Sequence, residues 1–382
     1  DILEEFSKEP MTPLERIEAA KRLEIPDRVP LAVYGYSYNA CRVTGITPKD
    51  LMFDYEKAEK AIEAGFVYHG GWDGLLFAPT TIRSWADMHG PYMSVIPGVN
   101  APDDRQWVIV SRCYFSDDDY DKMIEGGIEW FFEFNKSILE KGGWDFEERL
   151  EDYQEGVPKE INRFYQKWEV GWKIPVLGPF VGFPYAAIGV FRILHELLKD
   201  IYLRKEKVIK ILEILSEPTL AIYLIMARNS GVPRFCIADT WGGIVSPKHW
   251  KEICWPHVKF HVETLVDSGY DVIIDATNGG FERSQLELFG ELPKGRVILS
   301  LSGDDIFEAK EIIGDRICLM GNIRPEMLSF GTPEEIEEQC KKVIKICGKN
   351  GGFILSPADI PYEAKPENFQ AMVKAVKTYG VY

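Results

Sequence analysis

The feature of this sequence that most limits its fold is a cadence in its second half. The stretches "RFCIADTWGG" (234–243), "DVIIDATNGG" (271–280), "RVILSLSGDD" (296–305), "RICLMGNIRP" (316–325) and "GGFILSPADIP" (351–361) each place a short apolar run before Asp, Asn, Ser or Gly. Amphipathic segments lie between them. In "EEIEEQCKKVIKICGK" (334–349), Ile336, Cys340, Val343, Ile344 and Cys347 fall on one helical face. Thr332-Pro333-Glu334-Glu335 before it offers an N-cap, a first-turn proline and acids at the positive end. "SPKHWKEICWPHVKFHVETLVDSG" (246–269) opens on Ser246-Pro247 in the same way and closes near Gly269. Strand, polar loop and helix in repetition predict a parallel α/β fold.

The first half adds the strand candidates "VPLAVY" (29–34), "DGLLFAP" (73–79) and "WVIVSRCYF" (107–115), and "IPVLGPF" (174–180) is a short apolar run broken by Gly and Pro. Roughly eight strands in a chain longer than the usual ~250 residues predict a (β/α)8 TIM barrel. We expect one domain over 1–382, with an N-terminal extension and a helical insertion at about 116–172, which is acidic and rich in Trp and Phe. A doubly wound sheet is the alternative, weakened because no GxGxxG turn follows any strand.

Charge narrows the partners. Lys and Arg number 44 and Asp and Glu 60, a net charge of −16. That argues against nucleic acid or an anionic membrane and permits a protein partner with a basic patch. No apolar run reaches the roughly 20 residues that span a bilayer. The acidic start "DILEEFSKEP" carries no signal-peptide pattern. Seven scattered cysteines without a CxxC pair argue against a disulfide framework, so the expected location is the reduced cytoplasm.

In a barrel, chemistry belongs at the C-terminal strand ends. Those ends carry Asp239 with Trp241, Asp275 with Asn278, Ser302 with Asp304, Asn322 with Arg324, and Ser356 with Asp359. Converging carboxylates can act as general acids or hold a cation. The same residue types also cap helices and form turns. His257 and His261, four apart, share a helix face, but the glutamate of an HExxH motif is absent and a surface or packing role is their default. No nucleophile elbow, Walker A loop or Ser/His/Asp pattern occurs.

The stretch "LMGNIRPEMLSFGTPEEIEEQCKKVIKICGKNGGFILSPADIPYEAKPENFQAMVKAVKTYGVY", with "GPFVGFPYAAIG" (178–189), "DTWGGIVSPKHWKEICWP" (239–256) and "LMFDYEKAEKAIEAGF" (51–66), resembles the uroporphyrinogen decarboxylase superfamily. The resemblance covers most of the chain and is densest after about residue 174. It implies a (β/α)8 barrel. Tetrapyrrole decarboxylases of that superfamily carry an N-terminal Arg-Gln-Ala-Gly-Arg stretch that holds carboxylates. Here "YGYSYNACRVTG" (34–45) contains one basic residue, Arg42, which disfavours that substrate.

The other branch transfers methyl groups to corrinoid proteins. Its thiol-methylating members bind zinc through His-x-Cys and a late Cys. The matching positions here are Asp275, Thr277 and Ala358, so zinc is not expected there. The resemblance then implies an O-demethylase methyltransferase. Such an enzyme moves a methyl group from a small aromatic methyl ether to cob(I)alamin on a separate corrinoid protein and releases a phenol. A departing phenolate needs an acid or a hydrogen-bond donor. Asp239, Asp275 and Asp359 are candidate acids. Asn278, Asn322 and Tyr362 are candidate donors or positioning groups, and Phe180, Phe183, Tyr185 and Trp241 are candidate aromatic walls. A methylamine or other small methyl donor, and a non-catalytic paralogue that binds a small acid or a corrinoid protein, remain the alternatives. A homodimer stays open.

Overall fold

Strands β1 (Ala32–Val33), β2 (Gly74–Leu75), β3 (Phe180–Gly182), β4 (Arg234–Ala238), β5 (Asp271–Ala276), β6 (Val297–Leu301), β7 (Cys318–Ile323) and β8 (Phe353–Pro357) run parallel in a computed structural model. It describes residues 2–33, 38–75, 81–110, 112–276, 279–301, 303–357 and 360–382. Strands β3 to β8 pair in order, and β1 pairs with β2. Two junctions close the ring. Leu75 donates to the Pro175 carbonyl at 3.0 Å, which joins β2 to the run entering β3. Leu355 donates to the Pro30 carbonyl at 2.9 Å, which joins β8 to β1. The fold is therefore the α/β barrel that the strand–loop–helix cadence predicted.

These strands suit a barrel because both of their faces are apolar. Ala32, Cys236, Ile273, Ile298, Met320 and Ile354 fill the lumen, and Ile17 and Ala20 of helix Pro13–Lys21 close it from below. The alternate residues, such as Val272, Ile274 and Leu299, pack outward into the main core. Period-2 alternation with burial on both sides gives near-continuous apolar runs.

The lower rim is sealed by ion pairs. Arg16, Arg28 and Asp73 are all buried. Asp73 accepts from Arg16 Nη1 at 2.6 Å, from Arg28 Nη1 and Nη2 at 2.6 and 2.9 Å, and from the Leu31 amide at 2.8 Å. Arg234 opposes Glu169 at 2.6 Å, and Asp271 bonds Lys21 and Arg296. Ionic closure here leaves the upper rim for chemistry.

Two expectations change. The stretch 107–115 supplies no barrel strand. Val108–Ile109 instead forms a short antiparallel ribbon with Ser94–Val95. Both of its residues are exposed, so the run has no apolar face to bury in a barrel wall. The segment 246–269 is two helices, Pro247–Ile253 and Trp255–Asp267, because Pro256 lacks the N–H that a continuous helix needs. Helix Pro333–Cys347 forms as read, with Thr332 and Glu335 in a reciprocal capping box. Between β2 and β3 the chain builds helices Asp119–Lys141, Phe146–Glu151 and Val157–Tyr165. No helix among the described residues is long and apolar enough to cross a membrane.

Candidate functional site

Above the apolar tier, the barrel lumen turns polar. Asp275, Ser300, Asn322 and Ser356 follow Ile273, Ile298, Met320 and Ile354 by two residues and share the inward face. Asp275 lies close enough to Cys236 to help burial push that thiol well above its ordinary range. The Asn322 side chain donates to the Asp304 carbonyl at 2.9 Å. Asp304 accepts from the Phe281 amide at 2.6 Å, and burial raises its carboxyl.

The loops leaving β4, β5 and β6 stack backbone on backbone. Gly243 donates to the Gly279 carbonyl at 2.8 Å. A Cβ on Gly243 would lie 2.1 Å from that oxygen, and one on Gly279 would lie 2.8 Å from Gly303 Cα. Only hydrogen at these positions permits that approach, which accounts for the glycines ending the β4 and β5 stretches.

Asp239 is buried at the end of β4, one residue past the inward-facing Ala238. Its Oδ1 accepts from the Trp241 and Gly242 amides at 3.0 and 3.1 Å, and its Oδ2 from Trp250 Nε1 at 3.0 Å. Burial pushes this carboxyl up to about 6 despite those donors. Tyr185 and Trp241 pack beside it with ring centroids 5.2 Å apart. These three form a structured core under the loop.

A cavity of about 460 Å3 lies beside the barrel mouth, between strand ends β3 and β4, helix Thr81–Met93 and the helical insertion. Trp85 and Phe180 separate it from the lumen, since both pack on the apolar tier there. Phe183 lines it, as do Trp107, Phe131 and Tyr153. Its polar groups are few. His89 is half-buried, and its Nδ1 lies 2.6 Å from the Trp85 carbonyl. Burial holds that ring down to about 4, so it is neutral, Nδ1 donates and Nε2 is left as an acceptor. Trp107 Nε1 and Asn135 Oδ1 are buried without a hydrogen-bond partner. Asp87 is 1% exposed and lies against Arg149. Arg149 is the one Lys or Arg among the described lining residues.

The residues singled out in the sequence therefore divide. Phe180 and Phe183 line the cavity; Asp275 and Asn322 line the adjoining lumen. Asp239, Tyr185 and Trp241 form the core beside it. Tyr362 is 41% exposed, and its carbonyl accepts from Asn39 and Arg42. Asn278 and Asp359, with Thr277, Ala358 and Ser302, lie outside the described residues. Among the described residues no three His, Cys, Asp or Glu side chains stand close enough to hold a metal. Asp87, His89 and Trp107 were not singled out. Their signal was weak: an acid and a histidine on the helix after β2, next to an insertion unusually rich in Trp and Phe.

His257 and His261 flank Ser216, whose Oγ lies 3.1 Å from His257 Nδ1 and 3.0 Å from His261 Nε2. His69 and His261 are buried and His89 is half-buried, and desolvation lowers each to about 4. A lowered histidine pKa means stability present above pH 6.5 and lost as pH falls toward 4, on the order of 2–3 kcal/mol per ring. The raised carboxyls of Asp87 and Asp239 act in the opposite sense. Ring-proton NMR separates the two contributions: three histidines should stay neutral until pH approaches 4. Titration of all six near 6.5 would contradict the burial.

A family model for uroporphyrinogen decarboxylase (URO-D) matches residues 161–379, more than half of the chain. The chain is 27% identical to the uroporphyrinogen decarboxylase of Chlorobium phaeovibrioides over 223 residues, 55% of this chain and 62% of that protein. It is 30% identical to that of Hydrogenovibrio crunogenus over 170 residues, 44% and 47% of the two chains. The chain thus spans about three fifths or less of the length of these curated relatives. In structure it resembles a methyltransferase from Methanosarcina mazei, with a TM-score of 0.70 and 18% identity over 96% of this chain and 98% of that one. That likeness is one of fold.

Proposed function

Since the chain belongs to the uroporphyrinogen decarboxylase family, we propose that it uses the family barrel for methyl transfer from a small methoxylated aromatic to cob(I)alamin carried by a partner protein. The observation that carries this reading is the cavity. It is walled by aromatic rings, and its one described Lys or Arg, Arg149, is already engaged by Asp87 and Glu148. An aryl ether meets such walls at no electrostatic cost. A tetrapyrrole with many carboxylates would leave most of them without a cation. The fold neighbour's description as a methyltransferase agrees. The decarboxylase names of the curated relatives point the other way; the scarcity of cations in the cavity wall supports methyl transfer.

The acceptor would approach over the strand C-termini, where the cavity meets the barrel mouth. Cob(I)alamin supplies a nucleophile that needs no activation, so zinc has no task at Asp275, Thr277 and Ala358. With a net charge of −16, encounter with a basic partner surface should weaken as salt rises. A methylamine is a second reading, because aromatic rings beside Asp87 also suit a cation. The test is direct. Purified protein given cob(I)alamin should release a phenol from a methoxyarene. Consumption of uroporphyrinogen with release of carbon dioxide, and none of the ether, would overturn the proposal.

A further inference from the structure

We propose that Asp87 is the acid of this site, passing a proton from its Oδ2 to the oxygen that departs when the ligand loses its methyl group. The inference rests on the methyl-transfer reading above and adds to it a residue that sequence position did not suggest.

Asp87 lies within helix Thr81–Met93 and lines the cavity while only 1% exposed. Its two oxygens differ. Oδ1 accepts from Arg149 Nη1 at 3.2 Å. Oδ2 is buried and has no hydrogen-bond partner. Arg83 Nε stands 3.7 Å from Oδ2, beyond a hydrogen bond. Arg83 is drawn away by Asp152 at 3.1 Å and Glu160 at 3.2 Å. A buried carboxyl oxygen without a partner is costly unless it carries a proton or meets a ligand. At the wall of an apolar cavity, both conditions can hold in turn.

The surroundings suit an acid that must be reloaded. Burial and the Asp152 charge push the Asp87 carboxyl up to about 7, against the pull of Arg83 and Arg149. The other titratable groups around it are Glu160, held on Arg83, and the cavity-lining His89 and Tyr153, of which His89 is neutral. Near neutral pH the carboxyl therefore exists in both forms, the condition under which general acid catalysis is most effective. After proton transfer the carboxylate sits between two guanidiniums, which stabilise it until solvent returns the proton.

The balance is simple. The carbon–oxygen bond of the methyl ether breaks, and its electron pair stays on oxygen. The proton on Asp87 Oδ2 joins that oxygen to give a phenol. The methyl carbon takes its new bond from the electron pair of the partner's cob(I)alamin. No other oxidant or reductant is needed.

The experiment uses Asp87→Asn and Asp87→Glu with a series of anisoles whose phenols differ in acidity. Affinity is followed separately through quenching of cavity tryptophan fluorescence, Trp85 and Trp107 being in the wall. We expect Asp87→Asn to bind within about threefold of wild type and to lose roughly 10²–10⁴-fold in turnover. The loss should shrink as the leaving phenol becomes more acidic, and Asp87→Glu should recover part of it. Wild-type turnover should fall as pH rises through about 7, because the group must be protonated to act. That limb should be missing in Asp87→Asn, and it tests the proposal on unaltered protein if the variant does not fold. Turnover by Asp87→Asn matching wild type would overturn the assignment while leaving methyl transfer standing. So would equal losses for every leaving group together with lost affinity. Wild-type protein that binds the ethers and releases no phenol would overturn both.

Discussion

Asp73→Ala is expected to destabilise the fold by about 3–5 kcal/mol, the range for removing one partner from a buried ion pair. Asp73 is 1% exposed and holds Arg16 and Arg28, which are themselves buried. Its removal strands two guanidiniums in the lower rim. Arg16 keeps Asp27 and Glu9, so the damage is partly contained. Arg28 keeps only Glu9 among the described ion pairs and is the greater liability. The same carboxylate accepts from the Leu31 amide at the entry to β1, so β1 and β2 lose a tie where the ring is thinnest. Denaturant unfolding measures the effect. A change below about 1 kcal/mol would mean that water reaches the rim and hydrates both arginines.

The second large effect is expected at the cavity. Ala187 lines it from helix Pro184–Phe191 and is only partly buried. In Ala187→Trp the added ring has empty space of about 460 Å3 to enter, so the fold should tolerate it. A filled cavity should weaken binding of a methoxyarene by about 100-fold or more, because ring and ligand compete for one volume. Calorimetry with the ligand, alongside a melting curve, checks both halves. Unchanged affinity would place the ligand elsewhere on the barrel mouth.

The barrel was legible in the sequence because its signal is local and repeated. The runs at 234, 271, 296, 316 and 351 each become a strand, and the capping residues at Thr332 and Glu335 do what their chemistry dictates. The run 107–115 misled because β-propensity says nothing about what will cover a strand. Val108 and Ile109 remain exposed, and the eighth place in the ring goes to the less regular stretch at 174–182. There Pro175 and Gly178 interrupt the apolar pattern, but neighbours on both sides accept and donate its backbone bonds.

The site divides along the same line. Strand alternation alone puts Asp275 and Asn322 on the inner face, two residues beyond apolar lumen residues. Asp239 looked equivalent in sequence, an acid at a strand end. One residue of register turns it out of the lumen, where two amides and an indole occupy its oxygens. Asp87 had no motif at all. Its character comes from burial and from the charge of Asp152, which reaches it only when the insertion folds over the strand ends to form the cavity. The sequence by itself determined the barrel and the face on which polar residues gather, because periodicity and capping act over a few residues. Tertiary structure alone decided which carboxyl is desolvated and left with an unpartnered oxygen, because burial and charge pairing depend on groups that only the closed fold brings together.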